Sequence, residues 1–472
     1  MPALASRRGA AALVLAAALA LAPAALAADT DPKDLDPNDL DGARVLELIA
    51  ANGRFAFDAA AADLDAARAR LWTARAGLLP SLTFAAEGSR LKPSQEWQDD
   101  EYDAHGGLEV VQPLFDFGRT WGRLGAARAR VDAAENEFAE ARNTVLLEGL
   151  ALFYDLHASE LALRALNEAH ASAYVTWERA KELQSMARVD AVEVADHLAR
   201  VEETRLAYHR ERTRNRVLRL RLQGLTGVAF GHELINPPRP PSDRPPAVDV
   251  DKALAAAEAN NPRLRALAGR RDALSHERGA TGPFPRLEAF GNLNRSSREL
   301  RGRDDWNVGA RVVWPLFDGG RTLARRSELA ALEGRAGAEH ELYRRQLRVG
   351  VQESLMNLND AWQQVVAARA ALDHRKRRLL QRQRLYEQER VADLGPAMGQ
   401  TTAAEAEVVR AVGAFYVERA RLATLVGDTP AAGLDPDFLD RLAGAAGGQD
   451  YVPKSGSGFG QDDQKKLNRK AQ

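Results

Sequence analysis

The sequence predicts a mostly α-helical chain in which a long coiled-coil helical hairpin and a pair of short antiparallel strands each occur twice. The first observation is a repeat, since seven of the eight residues in Pro113–Thr120 recur in the same order in Pro315–Thr322. The second is a series of apolar residues at seven-residue intervals after each copy, which is typical of coiled coils. The third is an alternation of apolar and polar residues before each copy, which indicates strands.

Residues 1–27 are predicted to be a signal peptide. Arg7 and Arg8 precede a long apolar run that ends in Ala-Leu-Ala, the small-residue pattern at which signal peptides are cleaved. A membrane anchor is the alternative, because the run is about long enough to span a bilayer. Pro23 and the many alanines favour cleavage, and we expect no transmembrane helix in the rest of the chain.

The composition excludes several kinds of partner and site. The 65 basic and 66 acidic residues nearly balance, so net charge gives no reason to expect nucleic acid as a partner. The chain has no cysteine, which excludes disulfides, thiolate metal sites and lipidation on cysteine. The nine histidines form no metal-binding motif and no serine lies in a G-x-S-x-G motif. We therefore expect no cofactor, no metal and no enzyme activity.

The chain after residue 27 divides into two repeats, a linker and a tail. The first repeat is expected over residues 28–235 and the second over residues 250–428. The linker, residues 236–249, is rich in proline, which opposes both helix and sheet. The tail, residues 429–472, is of low complexity and is expected to be disordered.

Each repeat is expected to run from helix through two strands into a long helical hairpin. In the first repeat the strands are predicted at about residues 80–90 and 106–113, and the hairpin at 116–226. In the second repeat the strands are predicted at about residues 285–295 and 305–314, and the hairpin at 318–426. The first helix of each hairpin, at roughly 70 residues, would reach about 105 Å. Such helices pack laterally on others or project across a space.

The strand predicted at residues 305–314 has one apolar face. Its members are Trp306, Val308, Ala310, Val312 and Trp314. The two tryptophans lie roughly 26 Å apart along a strand, close to the apolar band of about 25 Å in outer-membrane barrels, which aromatic girdles flank. A half-buried strand of a soluble sheet is the alternative. In lipid an open sheet edge is forbidden, so chains with four strands must join to close a barrel.

The repeated junction is interpreted as the passage from barrel to helix. Its candidate residues are Pro113, Asp116, Gly118, Pro315, Asp318 and Gly320. We expect each proline to end a strand, because it has no N–H to donate to the ladder. We expect each aspartate to cap the helix that follows and each glycine to permit a sharp bend.

The seven-residue intervals predict packing seams on both long helices. The first seam consists of Leu124, Val131, Phe138, Val145 and Leu152, and the second of Val351, Leu358, Val365, Leu372 and Leu379. Alanines lie three residues after several positions of the first seam, so neighbouring helices can approach closely. The basic run Arg375–Arg384 has no interleaved aromatic residues, and we expect it on a solvated or tunnel-facing surface.

The duplicated hairpins, the four strands and the doubled PLFDxGR junction together resemble the TolC family of outer-membrane efflux and secretion ducts, over roughly residues 43–428. The resemblance implies a homotrimer in the cell outer membrane, with one β-barrel in lipid and one α-barrel in the periplasm. It implies a passive duct in a tripartite efflux or type I secretion system. The implied partners are a periplasmic adaptor protein, an inner-membrane pump and outer-membrane lipid.

The resemblance also places the hairpin tips at the docking and gating end of the duct. The candidate tip residues are Arg188, Asp190, Glu193, Asp196, Arg390, Asp393, Gly395 and Glu405. Some relatives have paired aspartates at the second tip, whereas the matching positions here fall near Gln400 and Ala403. Solvated charges at a helix end are the alternative explanation for the charged candidates.

Two other functions remain open from the sequence. A periplasmic coiled-coil adaptor or scaffold would also have a signal peptide and long hairpins, but it would lack girdle residues such as Trp306 and Trp314. A secreted enzyme with helical domains is opposed by the missing catalytic motifs. No residue indicates whether a drug, a metal ion or a polypeptide is exported.

Overall fold

A computed structural model of the chain describes residues 40–91, 101–228, 238–241, 244–296, 305–388 and 394–444. The predicted signal peptide, part of the linker and the end of the tail lie outside these ranges. Two candidate tip residues, Arg390 and Asp393, also lie outside the described residues.

Helices make up most of the described chain. Those of the first repeat are α1 (Gly42–Asn52), α2 (Arg54–Ala76), α3 (Arg119–Ser185) and α4 (Ala191–Thr226). Those of the second repeat are α5 (Val250–Asn260), α6 (Pro262–Ala280), α7 (Arg321–Glu387) and α8 (Gly395–Leu425). Two short helices follow, α9 (Pro430–Leu434) and α10 (Phe438–Gly444).

Four strands form one antiparallel sheet in the order β1-β2-β3-β4. They are β1 (Ser81–Leu91), β2 (Glu101–Phe115), β3 (Arg286–Ser296) and β4 (Trp306–Val313). Each repeat supplies two strands, so β2 and β3 from different repeats pair at the centre of the sheet. The predicted fold class is confirmed for the single chain: it is mostly α, with duplicated long hairpins and four antiparallel strands.

The two long helices α3 and α7 have the same length and begin in the same way. Each has 67 residues and follows a glycine in the left-handed region, Gly118 at φ 85° and Gly320 at φ 83°. Helix α3 packs against α2, α4, α6 and α8, and α7 packs against α5, α6 and α8. Among the ten predicted seam residues, Leu124 and Leu152 in α3 and Val351, Leu358 and Val365 in α7 are buried, and the other five are half-buried.

The main hydrophobic core lies where α5, α7, α8 and α10 meet. Its largest fully buried side chains are Phe415 of α8 and Phe438 of α10. Close to it, α3 and α8 come into near contact at Gly413, where an added Cβ would lie 2.6 Å from the Cβ of Tyr154. A larger residue at this position would push the two helices apart, because protein interiors have no spare volume.

Strand β2 extends beyond the predicted residues 106–113 at both ends. It begins at Glu101, because the polar residues before 106 pair with β1 through the backbone, whose hydrogen bonds do not depend on side-chain polarity. The expectation that Pro113 ends the strand is wrong, since β2 continues to Phe115. The pairing with β3 shifts register between these two residues. Such a bulge tolerates proline because the ladder is already interrupted there.

The expectation of a disordered tail from residue 429 is wrong for its first part. Residues 430–434 and 438–444 form helices. Phe438, Leu439 and Leu442 are buried and belong to the main core. The prediction used the composition of the whole tail, in which these three apolar residues are outnumbered by polar and small ones. The remainder, residues 445–472, lies outside the described residues.

Candidate functional site

The four-stranded sheet has one apolar and one polar face. Directly paired residues of antiparallel strands point to the same side, so the register defines rows that cross all four strands. One row is Leu82, Val110, Gly291 and Val308, and the next is Phe84, Leu108, Leu293 and Trp306. The apolar face is therefore continuous across the strands of both repeats.

The apolar face is open. The exposed fraction is 70% for Phe84, 68% for Trp306 and 76% for Val308. A contiguous patch of large exposed apolar side chains marks a membrane or a partner surface. The alternative of a half-buried strand in a soluble sheet does not fit, because nothing in the described part of the chain covers these residues.

The opposite face of the sheet is polar. One row across the strands is Thr83, Glu109, Asn292 and Asn307. Within it, Nδ2 of Asn292 donates to Oδ1 of Asn307 at 2.9 Å. Towards the helices, Nε of Arg311 donates to Oε2 of Glu288 at 2.9 Å, and its guanidinium lies 3.8 Å from Glu109. A wall that separates lipid from water has this alternation.

The predicted girdle residues Trp306 and Trp314 stand at opposite ends of β4. Trp306 begins the strand, and Trp314 directly follows its last residue. Both indoles are more than half exposed, and Nε1 of Trp314 donates to the carbonyl of Pro283 at 3.0 Å. An apolar ring with one hydrogen-bonding edge suits the boundary between membrane and water.

The two outer edges of the sheet are open. Among the described residues, β1 pairs only with β2 and β4 pairs only with β3. An unpaired edge leaves a row of backbone N–H and C=O groups that lipid cannot satisfy. In lipid, a sheet with this apolar face and these edges would need further strands to pair with its edges.

At both junctions an aspartate holds the first turn of the long helix. The backbone N–H of Thr120 donates to Oδ2 of Asp116 at 2.7 Å, and the Thr120 hydroxyl donates to the same oxygen. The N–H and hydroxyl of Thr322 donate to Asp318 in the same way, the N–H at 3.0 Å. Hydrogen bonds, that of the Thr322 hydroxyl first, lower the pKa of Asp318 below its usual range. Each aspartate acts as a cap from two residues before the N-cap glycine.

The chain turns sharply at both junctions. Gly118, Gly319 and Gly320 have φ values of 85°, 70° and 83°, a region that favours glycine because it has no Cβ. Pro315 lies beyond the end of β4, outside the ladder. The exposed apolar side chains beside these turns are Leu114, Phe115, Phe117, Leu316 and Phe317.

The first hairpin tip is a tight turn between α3 and α4. Ala187 has a positive φ of 53°, and the backbone N–H of Arg188 donates to the carbonyl of Leu183 at 2.9 Å. The Asp190 carboxylate accepts the N–H of Glu193 at 2.8 Å and so caps α4. Four tip candidates are exposed here: Arg188, Asp190, Glu193 and Asp196.

At the second tip, Gly395 begins α8. Arg390 and Asp393, which precede it, lie outside the described residues. Glu405 lies about 15 Å along α8 from its start, at 1.5 Å per residue. It pairs with Lys376 of α7 at 3.3 Å. Glu405 therefore belongs to the wall of the hairpin, away from the tip.

A buried polar cluster between α3 and α4 was not indicated by the sequence. Ser159 donates to Glu211 at 2.6 Å, Asn215 donates to Ser159 at 3.4 Å, and Arg219 pairs with Glu160. Satisfied buried polar groups hold two helices in one register. The partners lie 52 to 59 residues apart, and charges on long helices are usually solvated, so no local pattern revealed the cluster.

The helices show neither a metal centre nor a membrane span in the described ranges. Over those residues, no group of three or more His, Cys, Asp or Glu side chains is placed to hold a metal ion. Over the same residues, no helix is both long and apolar enough to cross a lipid bilayer.

The fold is similar to solved outer-membrane channels. The Campylobacter jejuni CmeC outer membrane channel matches with a TM-score of 0.66 and 18% identity, over 82% of this chain and 86% of that one. A Pseudomonas aeruginosa membrane protein matches with a TM-score of 0.63 and 22% identity, over 82% and 90%. The open state of the Neisseria gonorrhoeae MtrE outer membrane channel matches with a TM-score of 0.58 and 17% identity, over 88% and 91%.

At 17–22% sequence identity, the likeness to these channels establishes the fold alone. Membership of a family is established by a family model. No curated protein matches the chain in sequence. The model of the outer membrane efflux protein family matches residues 49–228 and 253–428, which cover most of both repeats. The resemblance to TolC-like ducts is thereby confirmed. Because the two stretches make up more than half of its length, the chain belongs to the outer membrane efflux protein family.

Proposed function

We propose that three copies of the chain form a passive duct in the outer membrane, through which an inner-membrane pump exports its substrate. The strands would join edge to edge into one barrel with the apolar face towards lipid. The hairpins would continue it as a tunnel through the periplasm. The open apolar face carries this proposal, because it crosses strands of both repeats while its reverse side is polar.

The proposed number of copies rests on two arguments: the strands needed to close a β-barrel, and the likeness to trimeric ducts. Each copy supplies four strands with two open edges, fewer than the about eight strands that close the smallest filled barrels. The likeness to trimeric ducts favours three copies, whose strands would enclose a channel wider than that of an eight-stranded barrel. Strand β1 of one copy would pair with β4 of the next.

The hairpin tips are the surfaces proposed to meet a periplasmic adaptor protein. Within one copy the long helices lie side by side in the order α4, α3, α8, α7, so α4 and α7 would be the helices that meet between copies. The start of α4 carries exposed acidic residues, Glu193 and Asp196, whereas the run Arg375–Arg384 towards the end of α7 is basic. Opposite charges on these two helices would hold the tip closed until the adaptor and pump engage.

The absence of native cysteine allows a direct test of the orientation of the sheet. Val308→Cys lies on the apolar face, and its neighbour Asn307→Cys lies on the polar face. In outer membranes, Val308→Cys should react with a lipid-soluble maleimide, and Asn307→Cys should react with a water-soluble maleimide through the channel. Equal reactivity of both positions with the water-soluble reagent would contradict the proposal.

Fractionation separates the duct from the alternative of a periplasmic adaptor or scaffold. A duct should appear in the outer-membrane fraction as an oligomer that dissociates on heating. Its mass before heating should equal that of three copies. A monomer in the soluble periplasmic fraction would favour the scaffold instead.

A further inference from the structure

A concave pocket of about 650 Å³ lies between α2, α3, α6 and α7, next to the junction with the sheet. Arginine side chains dominate its lining. The charged residues that line it are Arg70, Arg119, Arg123, Arg130, Arg325 and Glu277. They come from all four helices, so the fold brings together positive charges that the sequence holds far apart.

Glu277 compensates only part of this charge. Its carboxylate accepts from Nη2 of Arg325 at 2.8 Å and from Nη2 of Arg130. Burial alone would raise the pKa of Glu277, but the two guanidinium groups more than offset it and hold the pKa below the ordinary 4.5. Glu277 is therefore ionised at neutral pH, and one carboxylate is shared by two arginines.

Within the described residues, the other three arginines of the pocket have no carboxylate partner. Nη2 of Arg119 donates to the backbone carbonyls of Gly282 and Phe284 at 3.1 and 3.2 Å, and neutral carbonyls leave its charge uncompensated. Arg70 and Arg123 form no ion pair within the part of the chain that the structure describes. Their guanidinium groups remain available for a ligand.

The acidic residues of the junctions do not cancel the excess. Thr120 and Thr322 line the pocket, and they bind Asp116 and Asp318. Arg325 also pairs with Glu328 at 2.8 Å, so with both aspartates included five arginines face four carboxylates. A net positive charge in a concave site attracts an anion, and the unpaired guanidinium forks match phosphate oxygens in geometry.

We propose that this pocket binds a phosphate-bearing anion at the base of the sheet. The anion would bridge Arg70 on α2 and Arg123 on α3 and would accept further hydrogen bonds from the neighbouring arginines. Its source is either a soluble anion or the headgroup of an anionic phospholipid. The inference does not depend on transport, because binding can be measured whether or not the protein conducts.

The test is calorimetric titration of inorganic pyrophosphate into the full-length protein, purified as its native assembly in phosphate-free detergent. The double variant Arg70→Gln, Arg123→Gln removes the two unpaired guanidinium groups and leaves the ion pairs of Glu277 intact. Each lost charge-assisted hydrogen bond should weaken binding about tenfold or more. Circular dichroism checks that the variant keeps its helices.

A matched control separates a site from general attraction to positive charge. The double variant Arg128→Gln, Arg326→Gln removes the same charge from exposed positions of α3 and α7 outside the pocket. It should bind pyrophosphate as the unmodified protein does. Unchanged affinity in the pocket variant, or an equal loss in both variants, would overturn the proposal.

A second titration distinguishes the two sources of phosphate. The same protein is placed in nanodiscs of phosphatidylglycerol and titrated again with pyrophosphate. If the lipid headgroup fills the pocket, the affinity for pyrophosphate should fall relative to detergent in the unmodified protein. If the pocket takes soluble anions, the affinity should stay the same. Either result supports a phosphate site and assigns its source.

Discussion

Asp116 and Asp318 show how one side chain can direct the chain from strand to helix. Each carboxylate accepts the N–H and the hydroxyl of a threonine in the first helical turn. The first N–H groups of a helix have no intrahelical partner, so an acceptor placed here removes an unsatisfied donor. It also places negative charge at the positive end of the helix dipole, which is favourable. The repeated Asp and Thr spacing thus has a direct physical purpose.

Replacing this acceptor should destabilise the start of α3. Asp116→Ala should lower the free energy of unfolding by about 1 kcal/mol, whereas Asp116→Asn should lose less because its amide oxygen still accepts. Thermal unfolding in detergent measures both variants. Asp63→Ala, at an exposed position of α2, serves as the control and should leave stability unchanged. Equal melting curves for the two variants at Asp116 would contradict the capping role.

Glu277 should make stability depend on acidity. Its folded-state pKa is held below 4.5 by Arg325 and Arg130 against the opposing effect of burial. Its stabilising contribution is therefore fully present above pH 4.5 and is lost as the pH falls through the lower, folded-state pKa. Glu277→Gln should be less stable at neutral pH and should lose less stability on acidification. Melting curves that fall equally in both proteins would rule this out.

Among the strands, the faces could be predicted from the sequence and the ends could not. Alternation around Trp306 and Trp314 identified the apolar side of β4, because side-chain direction has a period of two residues. The extension of β2 to Glu101 is not accompanied by alternating apolar residues, because backbone pairing does not need apolar side chains. The bulge beside Pro113 depends on β3, a partner from the other repeat. Such pairings are absent from any local pattern.

The two faces of β1 should respond oppositely to a positive charge. Phe84→Arg puts it on the apolar face, where it should cost about 2–4 kcal/mol per copy in a membrane. Thr83→Arg puts the same charge on the polar face and should be tolerated. The amount of heat-dissociable oligomer in the outer-membrane fraction measures the difference. Similar yields for both variants would mean that the apolar face does not meet lipid.

Helix α10 is an integral part of the core despite its place after both repeats. Phe438 is fully buried against the main cluster. Phe438→Ala should destabilise the protein by about 3–5 kcal/mol through lost burial and a residual cavity. Phe438→Leu keeps most of the volume and should cost much less. Unfolding midpoints in detergent compare them, and a silent Phe438→Ala would show that α10 is dispensable.

Across the full chain, the duplication explains why the two hairpins share one plan. The seams of α3 and α7 could be predicted because buried and half-buried apolar residues recur at fixed intervals. The arginine pocket could not, because its members come from four helices and each of them alone resembles an ordinary solvated charge. The pairing of Glu405 with Lys376 escaped prediction for the same reason.

Charge at the first tip should govern how readily the assembled duct conducts. The Arg188 side chain is exposed at the turn between α3 and α4, where neighbouring copies would meet. In the proposed duct, Arg188→Gln would remove a positive charge that could pair with an acidic group of the next copy, and the fraction of open channels in planar bilayers should rise. Arg188→Lys retains the charge and should behave like the unmodified protein. Conductance that is the same in all three proteins would exclude this residue from the gate.

If the chain assembles as proposed, its two unpaired strand edges matter before assembly as well. A newly made copy would cross the aqueous periplasm with an apolar sheet face and two unpaired edges exposed. Such a surface aggregates readily. We therefore expect a periplasmic chaperone to cover this face and both edges until neighbouring copies pair with them.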